Sequence, residues 1–139
     1  MTSSIRPHDV TRIVCLVIED HAESASLFEV ILRDWRIETR TASTAKAARW
    51  RLEEELPDVI ICDLKLSDES GFSFIRWLRS HPRGYVSRIP AIAVTVHPEE
   101  FTARQAREAG FDLYLTKPLD LDDLPHQVVM LVARRSQAD

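Results

Sequence analysis

The chain has 139 residues, 45% hydrophobic and 29% charged, with three glycines and a formal net charge of −4. That length suits one globular domain with a substantial core, and no apolar run approaches the ~20 residues that a membrane-spanning helix needs. The acidic balance, with basic residues scattered among acids, gives no electrostatic reason to approach a nucleic-acid backbone, so neither nucleic-acid nor membrane contact is expected.

Residues 1–11 are polar, carry Pro7 and lack the apolar core and cleavage site of a signal peptide, which predicts a flexible tail on a cytoplasmic protein. From there, apolar runs of strand length alternate with longer stretches of helical period, the pattern of repeated βα units around a parallel sheet. The first strand, Ile13–Ile18, ends in the acidic pair Glu19-Asp20. Its helix, about 24–35, sets Leu27, Ile31, Leu32 and Trp35 on one face, predicted to pack on the sheet. The second strand, Ile37–Ala42, alternates apolar and polar residues as an edge strand does, and Ser43 or Thr44 can cap the helix that runs to about Leu56.

Pro57-Asp58 breaks the pattern before the third strand, Val59-Ile60-Ile61-Cys62, which ends in Asp63 and the polar loop Ser67-Asp68-Glu69-Ser70-Gly71. A helix over about 72–80 follows, with Phe72, Ile75 and Leu78 inward, and stops near His81-Pro82. Pro90 introduces the fourth strand, 91–94, which ends at Thr95, and Pro98 opens a helix over 99–109 that Gly110 terminates. The fifth strand, 113–115, leads to Lys117, and the last helix, about 122–135, has acids at its start and arginines at its end, leaving 136–139 as a short tail. Pro125 is tolerated only in the first turn of that helix. Cys15 and Cys62 each fall within an apolar strand and read as small core residues rather than a redox pair.

In an open parallel sheet the carboxyl ends of the strands converge on one crevice, which gathers Glu19, Asp20, Asp63, Thr95 and Lys117. Two like charges about 4 Å apart repel by about 4 kcal/mol at an effective dielectric near 20, so three grouped carboxylates call for a cation. Mg²⁺ suits them, since it takes oxygen ligands and commonly binds through one or two carboxylates plus a phosphate. No cluster of histidines or cysteines favours zinc. Asp63 is the candidate nucleophile, because a carboxylate can form an acyl phosphate; Lys117 offers a charge and Thr95 a hydroxyl to phosphoryl oxygens.

Over residues 12–135, predicted as the domain, the chain resembles the receiver domains of two-component response regulators. The resemblance rests on Val17-Ile18-Glu19-Asp20, Asp58-Val59-Ile60-Ile61-Cys62-Asp63-Leu64 with Gly71, Ile89-Pro90-Ala91-Ile92-Ala93-Val94-Thr95, and Ala109-Gly110-Phe111-Asp112-Leu113-Tyr114-Leu115-Thr116-Lys117-Pro118. It implies an α/β fold of the flavodoxin-like kind, a doubly wound (βα)5 three-layer sandwich with sheet order 2-1-3-4-5. It also implies that Asp63 takes a phosphoryl group from a phosphohistidine on a sensor histidine kinase or a histidine phosphotransfer protein. Glu19, Asp20, Asp63 and the backbone carbonyl of Lys65 would hold Mg²⁺, Thr95 and Tyr114 would form a coupled switch, and the Lys117-Pro118 peptide would be cis.

Two positions depart from the family's usual pattern. Ser67 stands where proline is frequent, leaving the loop less rigid, and Val96 stands where a smaller residue is usual, crowding the phosphorylation pocket. Lys65, Val96 and His97 fall where the resemblance places residues that tune the lifetime of the acyl phosphate. The output expected is a surface formed by the fourth predicted helix, the fifth strand and the last helix, with Glu99, Glu100, Arg104, Arg107 and Glu108 exposed to a downstream protein. The charges there are not self-complementary, so a monomer or weak homodimer is expected.

Other functions have less support. A Mg²⁺-dependent phosphohydrolase of the haloacid-dehalogenase-like kind also uses an aspartyl phosphate, but it needs a second aspartate where this chain has Lys65. A docking module that keeps only the fold would not need the full set of acids, hydroxyl and lysine. His81, followed by Pro82 at a helix end, lacks the helical bundle that a relay histidine requires.

Overall fold

Five short apolar segments form strands whose side chains alternate between two faces, and helices cover both. A computed structural model of the chain describes residues 12–138. The strands are β1 (Ile13–Ile18), β2 (Ile37–Ala42), β3 (Val59–Asp63), β4 (Ala91–Thr95) and β5 (Leu113–Thr116). The helices are α1 (Ala22–Arg33), α2 (Ala45–Glu54), α3 (Gly71–Arg79), α4 (Gly84–Ser87), α5 (Ala103–Ala109) and α6 (Asp123–Ala138). The sheet order is β2-β1-β3-β4-β5 with every pair parallel, as the resemblance implied. The order reverses beside β1, so a crevice opens at the carboxyl ends of β1 and β3.

Strand alternation divides the core into two layers. Ile60, Cys62, Ala91 and Ala93 face one side with Leu52 of α2, Phe74, Ile75 and Leu78 of α3 and Ala106 of α5. Val59, Ile61, Ile92 and Val94 face the other with Phe28 and Leu32 of α1 and Leu124, Val128 and Leu131 of α6. Each fully buried large side chain contributes about 1.5–3 kcal/mol, so the sheet ends are held rigidly enough to aim polar groups. Cys15 and Cys62 are free and buried in different layers, and burial pushes both thiols well above their ordinary range. Both therefore act as core packing.

Several expected details differ. On α1 the buried face is Phe28, Ile31 and Leu32, whereas Leu27 is 54% exposed. The helix stops at Arg33, so Trp35 lies in the following turn and is 42% exposed. A twelve-residue helix on a twisted sheet buries only a narrow stripe, and Leu27 falls just outside it. On α3 Phe74 takes the fully buried position, and Phe72 is only partly covered. Pro98 does not open α5. Residues 97–101 make a tight turn in which the Glu100 and Phe101 amides donate to the His97 carbonyl, and the helix starts after Thr102. Thr102 and Gln105 form a reciprocal capping box there, a stronger start signal than the proline. The short helix α4, for which no element was predicted, lies between the end of α3 and β4 and is anchored by buried Val86. α6 continues to Ala138, beyond the end predicted at 135, while the predicted tail 1–11 lies outside the described residues.

Arg79 locks one side of this frame. Its guanidinium donates to the carbonyls of Gly110, Ser87 and Ile89 at 2.7–2.8 Å and pairs with Asp112 at 3.1 Å. Gly110 has φ of +127°, as its position at the end of α5 predicted, and a Cβ there would meet Arg79 Cγ at 2.8 Å. At the sheet's outer edge β2 displays charge. Glu38 receives Arg12 at 2.9 Å and Arg40 at 2.8 Å, and Arg40 also pairs with Glu55.

Candidate functional site

The crevice is built by the carboxyl ends of β1, β3, β4 and β5. Glu19 follows β1 directly, and its amide donates to the Ala42 carbonyl at 2.9 Å, which draws its side chain into the interior at 3% exposure. Asp63 closes β3 and is itself buried, with Oδ1 accepting the Lys65 amide at 3.0 Å. Lys117 follows β5, where its amide donates to the Thr95 carbonyl at 2.9 Å, and the peptide to Pro118 is cis as expected. Its Nζ lies 2.6 Å from Glu19 Oε1 and 3.5 Å from Asp63 Oδ2. One ammonium thus bridges two carboxylates that would otherwise repel.

Burial raises the Asp63 carboxyl above its usual value and the Glu19 carboxylate pushes in the same direction; the Lys65 N–H and the Lys117 charge oppose them. Excess negative charge therefore remains in the crevice. Glu19, Asp20, His21 and Asp63 place potential ligand atoms within 4.8 Å of one another. Asp20 Oδ1 is buried without a hydrogen-bond partner; His21 Nδ1 lies 3.1 Å away but outside hydrogen-bond geometry. An orphaned carboxylate oxygen beside two other carboxylates is a donor set suited to a hard divalent cation such as Mg²⁺. His21 has no role that the sequence predicts. Its amide donates to Glu19 Oε2 at 3.3 Å, and the only signal for this was its place directly after the acidic pair.

The remaining predicted residues lie around this centre. Thr95 is fully buried at the end of β4, one residue beyond the register partner of Asp63, and its Oγ1 accepts the His97 amide at 2.9 Å. Tyr114 does not reach the acids; its Oη donates to the Phe101 carbonyl at 2.5 Å. Phe101 packs edge-on against Phe72 of α3, which ties β5, the turn before α5 and α3 together. The Lys65 side chain turns away toward Glu100, 3.6 Å distant, and the His97 ring approaches Glu99 at 3.9 Å. Val96 is 54% exposed beside Thr95.

Comparison with known proteins agrees with this geometry. The family described as the response regulator receiver domain matches residues 15–129. The chain is 34% identical over 117 residues to an uncharacterized 14.6 kDa protein of Leptolyngbya boryana, covering 84% of this chain and 85% of that one. It is 35% identical over 109 residues to the transcriptional regulatory protein KdpE of Staphylococcus aureus, covering 78% of this chain but only 45% of KdpE. The chain thus spans about half, or less, of the transcriptional regulators it matches. Among solved structures it is similar to the signal receiver domain of a histidine kinase from Syntrophus aciditrophicus, with 26% identity, a TM-score of 0.80 and coverage of 88% and 91% of the two chains. The match over most of the sequence, on a sheet of the same order, establishes that this chain belongs to the response regulator receiver family of two-component signalling.

Proposed function

We propose that Asp63 accepts a phosphoryl group from a phosphohistidine on a sensor histidine kinase or histidine phosphotransfer protein and that the added charge switches a partner-binding surface. The observation that carries this reading is the Lys117 ammonium set between Glu19 and Asp63, beside the orphaned oxygen of Asp20. Glu19, Asp20, Asp63 and the Lys65 main-chain carbonyl would hold Mg²⁺, which supplies charge neutralisation for the transferring group.

An Asp63 carboxylate oxygen attacks phosphorus as the P–N bond breaks, and the electron pair leaves with the donor imidazole. Lys117 is close enough to shift from Glu19 toward a phosphoryl oxygen. Thr95 can exchange the His97 amide for a phosphoryl oxygen to which its hydroxyl donates. The turn carrying Phe101 would then move with Thr95, and Tyr114, bonded to the Phe101 carbonyl, would move with it. Phosphorylation favours this second arrangement of a pre-existing equilibrium. The chain acts as a switch in the cytoplasm and assists only its own phosphorylation and dephosphorylation. The orientation of Lys65 toward Glu100 supports this over a phosphohydrolase, which would need an acid/base group at that position aimed at the acceptor.

Incubation with acetyl phosphate followed by mass measurement tests the reading. One phosphoryl group is expected with Mg²⁺, none with chelator and none on Asp63→Asn. A wild-type chain left unmodified under donor and metal excess would overturn it. Val96→Ala is expected to speed both phosphorylation and hydrolysis a fewfold by opening the crevice mouth, and unchanged rates in a stopped assay would remove Val96 from that role.

A further inference from the structure

The loop after Asp63 is fastened to a helix that contributes nothing to the crevice. Asp68 accepts the amides of Ala45 and Lys46 at 3.1 Å each, capping α2 from more than twenty residues away. Beside it Glu69 receives Arg49 of α2 in a two-pronged pair at 2.6 and 2.9 Å, and the Arg49 guanidinium lies over the Trp77 ring of α3 at 5.2 Å. Burial would raise the Asp68 carboxyl, but the N–H groups of Ala45, Lys46 and Glu69 aimed at it outweigh burial and hold it below its ordinary range. The anchor is firm, because Ala45, Ala48 and Leu52 seat α2 in the core.

The Lys65 main chain needs such an anchor. The Lys65 side chain is 57% exposed, and Ser67 leaves its own backbone angle free, as a proline would not. Locally the loop is held by an antiparallel bridge between Lys65 and Ser70, by the Gly71 amide on the Leu64 carbonyl at 2.9 Å, by the Lys65 amide on Asp63 and by buried Leu66, all of them close to its two ends. The tip between those bridge residues is where Asp68 and Glu69 reach α2. From the juxtaposition of the Asp68 carboxylate with the first-turn amides of α2 we infer that Asp68, supported by Glu69 and Arg49, is a positioning residue for the phosphoacceptor site. It sets the Lys65 amide that bonds Asp63 and the Lys65 carbonyl proposed to face the metal. This inference rests on the proposed reading of Asp63.

The experiment compares wild type, Asp68→Ala, Asp68→Asn and Thr44→Ala. Thr44 caps the same helix from its own side, its hydroxyl oxygen accepting the Ala47 amide at 3.0 Å. Losing a helix cap corresponds to about a fivefold change in an equilibrium. Asp68→Ala is therefore expected to exchange the Lys65 amide proton about fivefold faster in metal-free protein, bind Mg²⁺ about fivefold more weakly and accept phosphate from acetyl phosphate correspondingly more slowly. Asp68→Asn, which keeps one acceptor oxygen, should recover part of each. Thr44→Ala should lower the melting temperature comparably yet leave Lys65 exchange and Mg²⁺ affinity at wild-type values. Asp68→Ala with wild-type exchange and metal affinity, or Thr44→Ala with the same losses as Asp68→Ala, would overturn the positioning role while leaving the phosphoacceptor reading intact. A wild-type chain that binds no Mg²⁺ and takes no phosphate would overturn both.

Discussion

Lys117→Ala is expected to destabilise the metal-free protein by about 3 kcal/mol while tightening its hold on Mg²⁺. The side chain of Glu19 is fully buried and its nearest cation is Lys117, 2.6 Å away. Removing one partner of a buried pair costs about 3–5 kcal/mol because the other charge is left uncompensated; the crevice opens to water at Asp20, which favours the lower figure. For a domain of this size the melting temperature should fall by on the order of 10 °C in chelator. Mg²⁺ should restore much of that, since the metal no longer competes with an ammonium for the same oxygens. Phosphorylation should nevertheless slow by about a hundredfold, the typical cost of losing one preorganised charge at a transferring group.

The pH dependence follows from Asp63. Burial raises its carboxyl in the folded chain, so the folded state binds that proton more tightly than the unfolded state does. Metal-free stability therefore falls as pH rises from the ordinary carboxylate range through the raised Asp63 value and then levels. The Lys117 charge opposes the shift, so its loss should deepen the fall. Thermal melts in chelator from pH 4 to 8 measure this. Equal stability and equal Mg²⁺ affinity in wild type and variant would refute the bridging role of Lys117.

Gly71→Ala is expected to disable the site from outside it. A Cβ on Gly71 would lie 2.8 Å from the Asp63 carbonyl oxygen and 3.0 Å from Leu64 Cα, both main-chain atoms that cannot rotate away. Alanine is ordinarily the better helix residue by about 1 kcal/mol, so a destabilisation here isolates the steric effect. Overpacking of this kind costs about 1–3 kcal/mol. Displacing Asp63 relative to Glu19 and Lys117 should slow phosphorylation by 10- to 100-fold, since misplacement of a reacting group by about 1 Å has effects of that order. Melting curves and acetyl phosphate kinetics on the same preparation check both effects, and a variant as stable and as fast as wild type would show that the backbone at Asp63 tolerates the methyl.

Much of this arrangement was legible in the sequence because strand ends carry strong signals. An apolar run that stops at Asp63, another that stops at Glu19 and a third that stops at Thr95 determine both the elements and the convergence of their ends, and the register places them as expected. Helix faces were less legible. Leu27 and Phe28 are adjacent and both apolar, yet Phe28 is buried and Leu27 is exposed, a choice that composition alone does not carry. The start of α5 falls later than Pro98 predicts because proline is only a generic helix opener, whereas Thr102 and Gln105 satisfy two free amide donors reciprocally. The clamp of Asp68 on α2 was not legible at all: it joins residues more than twenty positions apart through backbone amides, which leave no trace in residue type.

The charged face of β2 has a consequence for life in a crowded solution. A border strand is an open row of amides and carbonyls onto which a stray extended segment can zip. Here any newcomer would have to desolvate Glu38 and Arg40 along with Arg12, which reaches over from the start of β1. At the opposite border β5 offers only four residues, too short a template to nucleate growth. Both borders of the sheet thus carry features that oppose edge-to-edge growth.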